Sequence, residues 1–364
     1  MKQAYTNTTI YTGKEILNGT AILVNDGLIE GFVYDTDLPD EYEVRDLNGN
    51  NIAPAFIDLQ IYGANGFLFS EHPTIETIES TKEYCKKGGA SKFLLTIATN
   101  SSEVIKKGIN TAKEYISRGK NDLLGIHLEG PWINPEKRGA HISEFIHKPT
   151  IDEVSKLIEE GDGIIKMITL APEMVDKEII DFLVSNNIIV SAGHTNATYK
   201  ESLNAFEKIK TVTHLFNAMS QFQSREPGMV GAVYTHPSVC TSIVADGVHV
   251  DFAAIAISKK ILGERLFLIT DAVAETSSGP YLHTLDKDRY VLQDGTLSGS
   301  ALTMMKAVKN CCDHAGIELE EALRMASLYP AKVLGIDSKS GFIQRGYEAE
   351  FVVFDNNFNV IDVP

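Results

Sequence analysis

Short apolar runs alternate with segments of helical periodicity through most of the chain. Eight runs read as strands: Ile52 to Ile61, Phe93 to Thr99, Leu123 to Glu129, Ile165 to Ala171, Ile188 to Ala192, Thr211 to His214, Thr241 to Ala245 and Leu266 to Thr270. Helical patterns lie between most of them. One spans Ile75 to Lys87, with apolar Ile75, Ile78 and Cys85, and stops at Gly88-Gly89; another opens at Thr150-Ile151-Asp152-Glu153, which resembles a capping box, and runs to Glu160. Strands alternating with helices predict a parallel α/β fold. Eight such strands predict a closed (β/α)8 TIM barrel in preference to an open sheet.

The two ends have a different texture. Ala21-Ile22-Leu23-Val24, the turn Asn25-Asp26-Gly27 and the return run Leu28 to Val33 read as a hairpin. Near the C-terminus, Gly341 to Gly346 precedes the strand Glu350 to Phe354. These pieces are expected to pair into a small β-sandwich domain built from both termini. The predicted division is 1–51 with 340–364 for that domain and 52–339 for the barrel.

Composition narrows the class without choosing a chemistry. A chain of 364 residues with 43% hydrophobic and 23% charged residues is an ordinary globular protein, large enough for a barrel and an appendage. Its net charge of −16 argues against general binding to nucleic acid or to an anionic membrane. It leaves room for an anionic substrate, since a few local cations hold one phosphate. Cys85, Cys240, Cys311 and Cys312 have no zinc-finger or redox spacing, which favours a reduced, cytoplasmic setting. No stretch resembles a signal core or a membrane span.

Candidate chemistry sits where the apolar runs end. In a (β/α)8 barrel the C-terminal ends of the strands carry the active site. Here six consecutive runs end near Glu129, Glu173, His194, His214, Asp246 with His249, and Asp271. A lone histidine at a strand end is usually a hydrogen-bonded structural group. Glu129, His194 and His214 together, however, make one carboxylate and two imidazoles, a set suited to Zn2+ or a similar divalent ion with a fourth position open. Asp271 is left over, and a carboxylate beside metal-bound water suits acid/base work. Trp132, the one tryptophan, reads equally as packing or function.

The stretches His127 to Pro131, Gly193 to Ala197, Thr213 to Met219, Asp246 to His249, Thr270 to Ala272, Leu297 to Ser300 and Leu323 to Ile336 together resemble the N-acetylglucosamine-6-phosphate deacetylases. These are a branch of the amidohydrolase superfamily. The resemblance implies hydrolysis of N-acetylglucosamine 6-phosphate to glucosamine 6-phosphate and acetate by metal-activated water. Glu129, His194 and His214 would hold one divalent ion, Zn2+ foremost with Fe2+, Co2+ or Mn2+ as alternatives, and Asp271 would be the acid/base. Contacts to the amino-sugar phosphate are implied for Ala140, His141, Asn217, Ala218, Arg225, Asp246, His249, Ser298, Gly299 and Ser300. Arg225 offers a guanidinium fork for phosphate, although its loop reads equally as solvated surface. In the family's dimers that loop can reach the neighbouring subunit's site, so a homodimer is expected.

One departure stands out. The superfamily carries His-x-His at the end of the first strand, where this chain has Gln60-Ile61-Tyr62. Gln and neutral Tyr are poor zinc ligands, so a second metal is not expected. Competing readings are an N-acetylgalactosamine-6-phosphate deacetylase, another amidohydrolase on the same barrel, and a catalytically inactive sugar-phosphate sensor.

Overall fold

Eight parallel strands form one sheet in chain order. They are β1 (Phe56–Ile61), β2 (Ala90–Ala98), β3 (Leu123–Glu129), β4 (Ile165–Leu170), β5 (Ile189–Ala192), β6 (Thr211–Val212), β7 (Cys240–Val244) and β8 (Leu266–Ile269). The computed structural model describes residues 1–276, 279–287 and 289–364. Closure of the ring occurs just past the strand ends. Asp271 N–H donates to Gln60 O at 2.9 Å, Tyr62 N–H donates to Ala272 O at 2.9 Å, and Ile61 bridges Ala272 in parallel. Both β1 and β8 are buried at every position, because helices cover one face and barrel side chains the other. That two-sided burial is why the strands read as unbroken apolar runs. The (β/α)8 barrel expected from the sequence is the observed fold.

Two of the expected strands differ in detail. The run Ile52 to Ile61 is two strands belonging to different sheets. Asn51–Pro54 pairs with Phe351–Phe354 and Thr9–Tyr11, whereas β1 pairs with β2. The backbone changes partners at Ala55 and Phe56, whose N–H groups donate to Glu350 O and Gly89 O, each at 3.0 Å. Pro54, which has no N–H to give, ends the first ladder. The run Thr211 to His214 keeps only two ladder residues, because His214 turns into the left-handed region at φ 36 and leads the chain out of the sheet.

Helix signals are partly relocated. The helix Ile75–Lys87 starts and stops as expected, with Thr74 as N-cap and Gly88 at its end. Thr150 caps Ile151–Gly161 by accepting from Glu153 N, but the Glu153 side chain does not return the bond. It accepts instead from Trp132 Nε1 and pairs with His147. The reciprocal capping box is at Thr198 and Glu201, opening Tyr199–Ala205. Trp132 is fully buried, so packing accounts for it.

The chain ends build two further sheets. One contains Lys2–Thr6, Thr20–Asn25, Leu28–Tyr34 and Glu43–Asp46; the other contains Thr9–Tyr11, Ile16–Leu17, Asn51–Pro54, Phe351–Phe354 and Val360–Asp362. Tyr5, Ile22, Val24 and Ile29 from the first meet Ile10, Ile52, Phe351 and Val353 from the second in a core of their own. Asp26 and Gly27, at φ 50 and 78, make the two-residue hairpin turn with both residues at positive φ. After β8 an antiparallel unit of Thr284–Asp286, Arg289–Val291 and Leu297–Ser300 attaches to the barrel through an Ala272–Ser300 bridge. No helix among the described residues is long and apolar enough to cross a membrane.

Phe351, 0% exposed and edge-on to Tyr5 at 5.2 Å, is central to the terminal sandwich. Phe351→Ala is expected to lower unfolding free energy by about 3–5 kcal/mol, the usual loss for a buried aromatic. Urea denaturation checks this, and a loss under 1 kcal/mol would show that the sandwich core does not matter to overall stability.

Candidate active site

Glu129 closes β3 with 1% of its surface exposed. Its Oε1 accepts from Gln60 Nε2 at 2.9 Å and lies 3.1 Å from His214 Nε2 and 3.4 Å from His194 Nε2. Its Oε2 accepts from Tyr62 Oη and stands 3.1 Å from His141 Nε2. Burial pushes the Glu129 carboxyl up, but the neighbouring imidazoles of His194, His141 and His214 reverse this and hold it well below the usual range. It is therefore ionised.

The hydrogen bonds of the imidazoles decide which nitrogens are free. His194 Nδ1 lies 2.8 Å from Lys137 O, and a carbonyl only accepts. Nδ1 therefore carries a proton, and in the neutral ring Nε2 presents a lone pair to the cavity. That lone pair is 3.1 Å from His214 Nε2, and both nitrogens face Glu129 Oε1. Three electron-pair donors aimed at one point repel unless a cation, or at least a proton, lies among them. His214 Nδ1 has no partner among the described residues. The donor set and its convergence fit a divalent ion with mixed nitrogen and oxygen ligands.

Glu129, His141 and His194 also offer ligand atoms that lie within 4.8 Å of one another. Hydrogen bonding argues against His141 as the third ligand. Its Nδ1 accepts from Thr99 N–H at 3.3 Å, so in the neutral ring Nε2 bears the proton and donates to Glu129. His214 Nδ1 meets no such N–H donor among the described residues, which leaves its Nε2 free to present a lone pair.

Asp271 follows β8 at φ 54, a left-handed conformation unusual for a residue with a Cβ. Its Oδ1 accepts from Gln60 Nε2 at 2.8 Å, and its Oδ2 is 4.0 Å from His249 Nε2. Burial, aided by the charges of Glu129, Asp246 and Asp58 and opposed by His214, pushes the Asp271 carboxyl up to about 8. A cation held by Glu129 and the two histidines would favour its ionised form. Gln60 thus stands between the two carboxylates as a neutral amide donor. Tyr62 is equally neutral, since burial and then the charges of Glu129 and Asp271 hold its phenol well above the usual value.

These groups open into a cavity of about 350 Å³, also lined by Ala140, His141, Asn217, Ala218, His249, Ser298 and Gly299. Three expected contact residues lie off its wall. Asp246 sits behind His249, accepting from Val248 N and His249 N through Oδ1 and facing His249 Nδ1 at 2.6 Å through Oδ2. It orients the histidine and is not on the cavity surface. Ser300 is fully buried; its N–H donates to Asp271 O and its Oγ to Thr270 O, so it braces the aspartate's backbone. Arg225 lies exposed in the loop before Gly228–Thr235, outside this cavity. Glu173 is also structural, accepting from Asn134, Thr195 and Asn196 to tie two rim loops together.

Several residues at the site were not singled out by sequence. Lys137, Tyr281 and His283 line the cavity from loops whose sequences carry no periodic signal. Asp58 had a signal: it is a charge inside an apolar run. Buried beneath the site, it accepts from Gln60 N and Thr270 N through Oδ1, each at 3.2 Å, and from Thr270 Oγ1 through Oδ2 at 2.5 Å. It thereby clamps β1 to β8 where the ring closes. Burial, only partly offset by those donors, raises its carboxyl to about 6.

Comparison with known proteins agrees with this architecture. Residues 51–363 match the amidohydrolase family, and residues 3–52 match the NagA composite domain. An N-acetylglucosamine-6-phosphate deacetylase of Haemophilus influenzae is 39% identical over 99% of this chain and 97% of its own length. An N-acetylgalactosamine-6-phosphate deacetylase of a Shewanella species is 32% identical over 97% of this chain and 92% of its own. The crystal structure of the N-acetylglucosamine-6-phosphate deacetylase of Pasteurella multocida superposes with a TM-score of 0.96 at 37% identity, covering 100% of this chain and 98% of that one.

Asp58→Ala would strand the Gln60 and Thr270 donors in the barrel interior. At about 1–3 kcal/mol for each unsatisfied buried group, a destabilisation of roughly 3 kcal/mol is expected in chemical denaturation. Asp58→Asn, which keeps one acceptor oxygen, should lose less. Equal stability in all three proteins would show that the clamp carries no load.

Proposed function

The chain belongs to the amidohydrolase family, and from that premise we propose that it hydrolyses N-acetylglucosamine 6-phosphate to glucosamine 6-phosphate and acetate. The observation that carries this reading is the convergence of Glu129, His194 and His214 on one point, with Asp271 one amide away across Gln60. A divalent ion bound by those three residues supplies a Lewis acid and lowers the pKa of water from 15.7 towards about 7 in the best cases. Zn2+ suits the ligand set best, and Fe2+, Co2+ and Mn2+ are alternatives.

The remaining chemistry belongs to the chain's own groups. Asp271 takes a proton from the attacking water, and a C–O bond forms at the acetyl carbon. His141, whose Nε2–H rests against Glu129, is placed to donate instead to the carbonyl oxygen as negative charge develops there. Asp271 then returns the proton to the nitrogen as the C–N bond breaks, which leaves the amine and acetic acid; the acid passes its remaining proton to the amine or to solvent and leaves as acetate. Gln60 Nε2, donating to both carboxylates, holds Asp271 in register with Glu129 without a second cation.

Phosphate recognition falls to the loops after β6 and β7. Asn217 and Ala218 offer a turn with Ala218 at φ 47, and His249 is fixed by Asp246. Arg225, exposed and off the cavity wall, is read as serving the site of a second copy, which makes the working unit a homodimer. Four unpaired cysteines and a phosphorylated substrate accord with a cytoplasmic setting.

The Shewanella relative keeps N-acetylgalactosamine 6-phosphate as a second reading, differing at one hydroxyl. Acetate release from both sugar phosphates and from unphosphorylated N-acetylglucosamine separates these readings. The gluco phosphate is expected to be the best of the three, with activity lost on chelation and restored by Zn2+. A faster reaction with the galacto epimer would reassign the substrate. No release from any of them would favour the sensor. Asp271→Asn is expected to keep its metal content and lose about 10²–10⁴-fold in turnover, the usual range for removing a general acid–base. Near-full activity in that variant would remove Asp271 from the mechanism.

A further inference from the structure

The layer of the barrel interior directly below the proposed metal site is polar. In (β/α)8 barrels this space is usually packed with branched apolar side chains. Here His127 on β3, Thr169 on β4, Ser191 on β5 and Thr213 just past β6 are buried, each at most 2% exposed. Their side chains form one continuous chain. His127 Nδ1 lies 3.0 Å from Leu59 O on β1, and its Nε2 lies 2.7 Å from Thr169 Oγ1. Thr169 Oγ1 is 2.7 Å from Thr213 Oγ1, which in turn is 2.6 Å from Ser191 Oγ.

The carbonyl at one end fixes the direction of every bond. Leu59 O only accepts, so His127 Nδ1 donates to it. In the neutral ring Nε2 then accepts from the Thr169 hydroxyl. With its own proton so engaged, Thr169 Oγ1 accepts from Thr213, and Thr213 Oγ1 accepts from Ser191 in the same way. The donors and acceptors of these four groups are therefore paired in a single arrangement. The mechanism above uses none of them.

This chain lies beneath the three residues that converge on one point, where the backbone ladder is thin. Glu129 is two residues beyond His127, His194 three beyond Ser191 and His214 one beyond Thr213. β6 has two ladder residues, paired to β5 at Thr211–Ser191 and Val212–Ala192. Gly193, next to His194, is pressed against the same side chains. A Cβ there would stand 2.7 Å from Thr169 Cγ2 and 3.0 Å from Thr213 Cβ. A buried polar network with every member paired rigidifies the elements it joins and favours one arrangement of them. We propose that the His127–Thr169–Thr213–Ser191 chain is a positioning network that holds Glu129, His194 and His214 in register, so that its hydroxyls set metal affinity without touching the metal. The inference rests on the metal reading above.

The test is the dissociation constant for Zn2+, measured on metal-stripped protein by competition with a chromophoric chelator. Thr169→Val and Thr213→Val keep the side-chain shape and remove one hydroxyl from the chain. Groups that orient metal ligands are usually worth about 10–100-fold in affinity, and each variant is expected to weaken Zn2+ binding about tenfold or more. Thr213→Ser, which keeps the hydroxyl, should bind close to the wild type. Thr96→Val is the control. Thr96 is 0% exposed on β2, pairs with His127 in the ladder, and its Oγ1 has no partner among the described residues. That variant should bind Zn2+ as the wild type does. Affinity unchanged in Thr169→Val and Thr213→Val, or weakened as much in Thr96→Val, would overturn the network and leave the metal reading intact. Failure of serine at 213 to restore binding would also overturn it. A wild-type protein that binds no Zn2+ would defeat the metal reading and this inference with it.

Discussion

A single buried carboxylate sets the terms for the rest of the molecule. Glu129 is ionised in the barrel mouth with almost no contact with solvent, and an isolated charge there would cost many kcal/mol. Compensation comes from every side: an amide from β1, a phenol from the same strand's end, and imidazoles from the loops after β3, β5 and β6. Two of those imidazoles bring Nε2 atoms close to one another and to the carboxylate, an arrangement that a cation, or at least a proton, among them makes favourable. The barrel's part is to bring these groups, distant in sequence, to one point.

Bringing them there requires strained backbone. His194, His214, Ala218 and Asp271 all have positive φ between 36 and 54, and none is glycine. Each such residue costs about 1–3 kcal/mol and persists only where its surroundings fix it. The fixing bonds are visible: Asn134 N to His194 O, Ser242 Oγ accepting from His214 N, and Gln60 O and Ser300 N on either side of Asp271. Asp58 holds the same seam from below. Strain is concentrated where side chains must leave the strand direction to face a common centre, so the stability of the rim and its chemistry are linked.

The barrel was legible in sequence because strands buried on both faces leave unbroken apolar runs, and the residues that converge on Glu129 were legible because they end those runs. Other features had no such marker. The split of Ile52 to Ile61 depends on which sheet each backbone N–H meets, and Pro54 alone hinted at it. Asp246 and Ser300 lie within a few residues of cavity-lining positions but point into the scaffold, a distinction of side-chain direction that spacing does not encode. Arg225 lies in an exposed loop off the cavity wall, where no apolar periodicity marks a side chain's direction. Tyr281 and His283 reach the cavity only because the antiparallel unit after β8 folds back through the Ala272–Ser300 bridge.

Gln60 and Tyr62, where the resemblance implies a histidine pair, underlie the proposal of one metal ion per chain. A neutral amide, Gln60 Nε2, donates to both Glu129 and Asp271. The direct test is the metal stoichiometry of protein first stripped with chelator and then titrated with Zn2+, read by calorimetry and by elemental analysis after dialysis. One tightly bound ion per chain, lost in Glu129→Gln, is the predicted result. Two tightly bound ions per chain, or none, would contradict it.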